Sequence, residues 1–284
     1  MGTIPEQIAD IWGEDDNARR YDAYARQYPS YRETSQDLVT LALPSTEVSV
    51  ADAAVLDLAC GTGATTREIL AVLGPHGTVT GVDQSAAMLA VAASSTTDSR
   101  VSWIHARAES VDQHMTGTVD AILCNSAIWQ TDLAATAKAA RAVLKAGGRF
   151  AFNVPVDFLA DGASERSDDQ YPAVLSEMRE IAEHDYGWAP PDRSRGRARH
   201  QLTRESICRS LAAAGFDVEL VTEVSHQRSG AAARAWLSIP IFTRDRLRGL
   251  SYAERMRVLD KAYDRLGPGQ PERGRWLVFL CRAG

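Results

Sequence analysis

The sequence predicts an α/β fold: a doubly wound sheet of seven strands, mostly parallel with an antiparallel last strand, carrying a helical cap and lid insertions. Three observations point there. Short apolar runs of strand length alternate with helix-patterned segments between Ala53 and Pro155. Glycines close the intervening helices. Two long stretches, 157–200 and 230–266, then interrupt an alternation that resumes after each. Strand–helix–strand alternation means parallel strands joined by right-handed crossovers.

The elements follow in order. Residues 15–41 read as helical with one break: Tyr21, Tyr24 and Tyr28 recur at helical spacing, Pro29 interrupts, and Leu38 and Leu41 resume an apolar face. AAVLDLA (53–59) is a strand and ATTREILAVL (64–73) a helix ended by Gly74-Pro75. TVTGVD (78–83) is a strand, followed by a helix at 85–92 with Ser85 as its N-cap. Strands at 101–105 and 119–124 precede a helix at 131–145 whose face is Leu133, Ala137, Ala140, Val143 and Leu144. Gly147 and Gly148 stop it, and 148–155 is the next strand. The polar, Pro-broken stretch 157–200 holds a helical piece near 171–184 and is too long for an ordinary connection, so it reads as a lid. Thr203 caps a helix at 203–214, and strands at 217–224 and 275–283 flank a mostly helical insertion. One domain is expected over 1–284: cap 1–50, core 51–156, lid 157–200, the rest of the sheet at 201–229 and 275–284, and a second insertion at 230–270.

Composition excludes several classes. A net charge of −6 over 284 residues is a poor match for a nucleic-acid backbone. No apolar run approaches the roughly 20 residues of a membrane span. The first residues lack a basic region followed by an apolar one, and Glu6 spoils a myristoylation site, so a cytoplasmic location is expected. Cys60, Cys124, Cys208 and Cys281 are scattered without a C-x-x-C pair, which reads as reduced buried thiols and no metal site.

The chemistry centres on VLDLACGTGATTREIL (55–70). A glycine turn between a strand and a helix lets a ligand approach the backbone and points helix N–H groups at it. A dinucleotide site asks for a third glycine where this chain has Thr66. Asp57, inside the strand, would repel a pyrophosphate but oppose the ammonium of an amino-acid cofactor. Asp83, ending the second strand, can accept both hydroxyls of a ribose. Each Asp could instead only cap its loop. Together they favour an amino-acid nucleoside.

VLDLACGTGATT, GVDQSAAML, HARAES and VDAILCNSAIW resemble, in order and spacing, the motifs of class I S-adenosylmethionine (SAM)-dependent methyltransferases with a Rossmann-like fold, of the small-molecule type with a UbiE-like core. RYDAYARQYPSYR is similar to their capping helix. The resemblance covers residues 50–155 well and implies a SAM-binding core. It implies that Asp57, Ala59, Gly61, Thr62 and Gly63 line the methionine part and that Asp83 holds the ribose, with Gln84 and Met88 beside ribose and adenine. Ala108 would meet the adenine edge. The family often has Asp where this chain has Arg107, which cannot accept a hydrogen bond, so Glu109 or a carbonyl would serve. Asn125 would lie near the methionine and the reacting methyl, and Tyr28 near the cofactor carboxylate.

Methyl transfer from a sulfonium is an in-line displacement that rewards alignment and needs no metal. Trp129, on the loop after the fourth strand, is a candidate substrate wall; Tyr21 and Arg32 on the cap are candidates too, with plain packing as the alternative for the aromatics. Candidate bases are His184, His200 and His226, each also readable as a surface histidine. His200 ends the run Arg193, Arg195, Arg197, Arg199, which is either a solvated loop or a clamp for an anionic group. The fourth-strand end reads Asn125-Ser126-Ala127-Ile128 rather than N-P-P-Y, against a nucleic-acid amino-methyltransferase. The expected function is SAM-dependent methylation of a small molecule. The Ala- and Arg-rich composition points to a bacterial natural product. The alternatives are a non-methylating SAM-binding enzyme of the same fold, such as a cyclase, and, more remotely, a dinucleotide-dependent oxidoreductase.

Overall fold

The computed structural model describes residues 12–14, 16–44, 48–160, 170–190, 202–267 and 272–284. Its centre is a seven-stranded sheet in the order β3-β2-β1-β4-β5-β7-β6, with β7 antiparallel to both neighbours and the other pairings parallel. The strands are β1 Ala54–Leu58, β2 Thr78–Asp83, β3 Val101–His105, β4 Val119–Cys124, β5 Leu144–Pro155, β6 Phe216–Arg228 and β7 Glu272–Ala283. This is a doubly wound, Rossmann-like sheet with an antiparallel last strand. Strand order reverses between β1 and β4, so the connections leaving their carboxyl ends diverge and open a crevice there.

Helices cover both faces. The cap consists of α1 (Asn17–Gln27) and α2 (Pro29–Ala42). Tyr28 separates them in an extended conformation, as a residue before proline prefers, and Pro29 starts α2 at a position where its missing N–H costs nothing. Then come α3 (Ala64–Val72), α4 (Ala86–Ser95) and α5 (Leu133–Val143). Ser85 caps α4 by accepting from the Met88 amide at 3.2 Å. One face of the sheet buries Leu58, Ile122, Phe150, Phe152 and Phe279, and the other packs Leu123 and Val278 against Leu38, Val39 and Ile69. Each such side chain contributes about 1.5–3 kcal/mol. β1 has apolar or wholly buried positions throughout, the pattern of a central parallel strand.

Three boundaries differ from expectation. α5 stops at Val143, and Leu144 turns extended because it pairs with Val119; an irregularity before Arg149 then absorbs the glycines. β6 continues to Arg228 and β7 begins at Glu272, since their antiparallel ladder runs through Arg228↔Glu272. Backbone pairing carries those polar ends into the ladder.

Of the first insertion the described residues are 157–160 and 170–190, which hold α6 (Gln170–Tyr186); 161–169 and 191–200, with His200 and the four arginines before it, lie outside the described residues. After α7 (Arg204–Ala213) and β6 come α8 (Gly230–Leu237), α9 (Pro240–Arg244) and α10 (Tyr252–Leu266). α6 and α10 share a small core of Met178, Ile181, Leu247, Val258, Leu259 and Ala262. The two insertions are therefore packed as one helical unit. Among the described residues no helix is long and apolar enough to cross a membrane. All four cysteines are free.

Candidate functional site

The turn after β1 is built from backbone. Ala59, Gly61 and Gly63 all have left-handed φ values (57°, 55° and 77°), so the chain turns sharply between β1 and α3. A non-glycine at such a φ is strained, which is characteristic of ligand-binding turns. The two glycines serve different ends. A Cβ at Gly61 would meet nothing within 4 Å, so that position borders open space. A Cβ at Gly63 would press on the Trp103 ring at 3.0 Å. Thr62 Oγ1 is buried with no partner in the protein.

Two carboxylates flank the turn and differ sharply. Asp83 is half-buried at the end of β2 and accepts from the amides of Gly61 and Ser85, both at 2.8 Å. Burial raises its pKa, while those two amides pull it down. Asp57 is 1% exposed and accepts from Thr66 Oγ1 at 2.5 Å. Burial pushes its carboxyl up to about 7; the Thr66 bond opposes that, and the charge of Asp83 adds to it. Clustered acid groups disfavour a pyrophosphate and suit a cationic amino-acid nucleoside.

Across the crevice, the end of β4 is held by side chains. Asn125 donates to Ser35 Oγ at 3.0 Å and to Thr34 Oγ1 at 3.2 Å, both on α2. Ser35 Oγ also lies 3.0 Å from Thr65 Oγ1 at the start of α3. Ser126 has φ 54°, and its hydroxyl receives the Trp276 indole N–H at 3.1 Å. Trp129 donates to the Ser126 carbonyl at 3.0 Å and stacks on Phe158 at 3.8 Å.

An aromatic cover bridges the two sides. Tyr21, Tyr24 and Tyr31 of the cap pack with Trp236 and Phe242 of the second insertion; Trp236 stacks on Phe242 at 3.9 Å, and Tyr31 lies 5.9 Å from Trp236. The Tyr21 and Tyr31 rings meet edge to face with centroids 5.2 Å apart. Burial raises both phenols, Tyr31 to about 12 and Tyr21 well above its usual range, so neither is a base at neutral pH. The cover is tied down by Asp22 to Arg67 at 3.2 Å and by His226 to Asp37 at 2.6 Å. Ile241 N donates to Asn17 Oδ1 at 3.1 Å across the cap–insertion seam.

The remaining sequence candidates scatter. Met88 and Ala108 are buried near the ends of β2 and β3, and the Gln84 carbonyl bonds His105 Nε2 at 2.9 Å. Glu109 is engaged by the Asp132 amide at 3.0 Å and sits 3.5 Å from Arg107. Tyr28 packs beside Tyr24, with ring centroids 5.1 Å apart, and lines a cavity of about 670 Å³ with Arg234, Ser238 and Asp260 of the second insertion. Arg32 faces solvent. His184, with its side chain 86% exposed and paired to Asp185, projects from α6 into solvent, since the inner face of that helix is spent on α10. His226 is clamped between Asp37 and Glu33 with its ring 6.0 Å from Trp276. Sequence reasoning passed over Thr34, Ser35, Tyr31, Asn153 and Trp276. One signal was available: Asn153 is the lone polar residue in FAFNV.

Residues 55–148 match the family model described as a methyltransferase domain. No curated protein sequence matches the chain. Solved structures do. The chain is similar to a protein named as an S-adenosylmethionine dependent methyltransferase of Listeria monocytogenes, at 18% identity over 89% of this chain and 99% of that one, with a TM-score of 0.52. It is similar to one named as a sarcosine dimethylglycine methyltransferase of Galdieria sulphuraria, at 12% identity over 94% and 98%, TM-score 0.57. It is also similar to the 4+2 cyclase SpnF, at 18% identity over 89% and 80%, TM-score 0.51. At these identities the likeness carries the fold.

Proposed function

We propose that this chain is a SAM-dependent methyltransferase, with SAM as its cofactor, that methylates a small molecule beneath the cap and the second insertion; the methyltransferase-domain match over residues 55–148 supports this. The observation that carries the small-molecule reading is the aromatic cover. Tyr21, Tyr24 and Tyr31 of the cap pack with Trp236 and Phe242 of the second insertion, and an apolar aromatic cover of this kind favours a compact, largely apolar acceptor over a polymer. The acidic balance of the chain supports the same reading.

The residues present fit the cofactor. Gly61 borders open space, Thr62 Oγ1 lacks a partner, and Asp83 is already aimed by two amides. In this reading Asp83 holds the ribose hydroxyls, the Gly61 turn takes the amino-acid part, and Asn125 stands at the methionine end. The bound cofactor supplies an electrophilic methyl on a sulfonium. The protein's part is alignment and exclusion of water, with Trp129 and the cover forming the acceptor's walls. A bacterial natural product is the substrate class we favour, on composition alone.

Incubating the protein with SAM and a panel of apolar hydroxylated and aminated acceptors tests this. Methyl transfer gives S-adenosylhomocysteine and a product heavier by one methylene. A converted acceptor without S-adenosylhomocysteine would instead support the non-methylating reading, which the likeness to a cyclase keeps in view. Acceptors unchanged while added RNA or protein gains methyl groups would overturn the small-molecule assignment.

A further inference from the structure

β5 carries one polar side chain in its buried centre. Phe150, Ala151, Phe152 and Val154 are fully buried, and so is Asn153 between them, at 0% exposure. A buried amide is costly unless its donors and acceptor are used. Asn153 spends its bonds on two consecutive residues. Its Oδ1 accepts from Ser126 N at 2.6 Å and from Ser126 Oγ at 3.2 Å. Its Nδ2 donates to Asn125 Oδ1 at 2.9 Å.

The position explains why a side chain does this. The β4–β5 ladder runs out at Cys124↔Phe152. Ser126 then takes a left-handed conformation, φ 54°, which turns its amide out of ladder register and is unfavourable for a residue with a Cβ. Asn153 replaces the missing ladder bond and holds that turn. Three other groups depend on it: Trp129 through the Ser126 carbonyl, Trp276 through the Ser126 hydroxyl, and Asn125, whose amide is then aimed at α2. Asn153 itself has no exposed surface.

We infer that Asn153 is a positioning residue for the amino-acid end of the cofactor, acting through the turn at Asn125–Ser126 rather than by contact. The inference rests on the proposed placement of Asn125 and separates from it experimentally. S-adenosylhomocysteine carries the amino-acid end; 5′-methylthioadenosine has the same nucleoside without it. A residue that merely stabilises the fold affects both ligands alike. A residue that aims the turn affects only the first.

The test is calorimetric titration of wild type, Asn153→Leu and Asn153→Asp with both ligands, alongside the indole N–H signals of ¹⁵N-tryptophan-labelled protein. For Asn153→Leu the expected result is at least tenfold weaker S-adenosylhomocysteine binding, methylthioadenosine within threefold, and shifted Trp129 and Trp276 signals. Asn153→Asp keeps the acceptor for Ser126 N and loses the donor to Asn125, so it should fall between, with a selective loss of at least threefold. If Asn153→Leu does not fold, Asn153→Asp decides by the same ratio. Equal loss for both ligands, or no loss with unmoved indole signals, overturns the inference. Wild type that binds neither ligand overturns the cofactor placement itself, and the inference with it.

Discussion

The two sides of the crevice are held in different ways. On the β1–β2 side, Asp83 is fixed by the amides of Gly61 and Ser85, and the turn itself by three left-handed residues. These contacts join neighbouring elements of one β–α–β unit. On the β4–β5–β7 side, Asn125 and Ser126 are fixed by side chains from α2, β5 and β7: Thr34, Ser35, Asn153 and Trp276. The first side is set by chain conformation and should tolerate change elsewhere. The second is set by docking and should fail when a distant partner is lost.

The largest expected effect strikes the local side. Gly61→Val places a β-branched side chain at φ 55° and fills space that is open in this structure. S-adenosylhomocysteine binding should weaken more than about a hundredfold, roughly 2.7 kcal/mol, while circular dichroism still reports the fold. Near-normal calorimetric affinity would mean the turn is not the cofactor site.

Asp83→Ala comes next. Losing a carboxylate that receives charge-assisted bonds should cost about 1.5–3 kcal/mol of cofactor affinity. Unchanged affinity in the same titration removes the ribose assignment.

Asp57 separates stability from binding. Its carboxyl titrates near 7 in the fold and near 4 when unfolded, so between those values the native state holds a proton that the unfolded state has released. Stability is therefore fully present at low pH and is lost as pH rises towards 7, by on the order of 1 kcal/mol per unit. The thermal midpoint of ligand-free protein should fall from pH 5 to pH 7, and Asp57→Asn should flatten that fall. An equal slope in both proteins would show that another group is responsible.

The smallest effect probes the docked side. His226→Gln removes the contact at 2.6 Å between β6 and Asp37 of the cap. A cost of about 1 kcal/mol in denaturant unfolding is expected. A double-mutant cycle with Asp37→Asn should show coupling; additive losses would mean that the pair does not help seat the cap.

Much of the local side was legible in advance. Gly61 and Asp83 stand out because a glycine break and a strand-ending carboxylate are local signals, readable from residues close in sequence. The docked side was only half legible. Asn125 and Trp129 follow a strand end and could be named, but their partners could not. Thr34 and Ser35 looked like ordinary helix residues, Trp276 like strand core, and Asn153 like one residue of an apolar strand. That His184 stands on the solvent side of α6 was not readable either, because nothing local says which face of that helix turns inward.

The alternation of strands and helices, the glycine turn and the acid at the end of β2 were thus determined by the sequence by itself, because each depends on backbone preferences and apolar periodicity within a few residues. Only the tertiary structure decided what aims the reacting end. The parallel register that brings β4 beside β5 sets Asn153 next to Ser126, the antiparallel return of β7 delivers Trp276, and the docking of α2 delivers Ser35. A hydrogen bond between residues far apart in the chain leaves no periodic trace, because its cost and its gain are settled only when the sheet has closed around it.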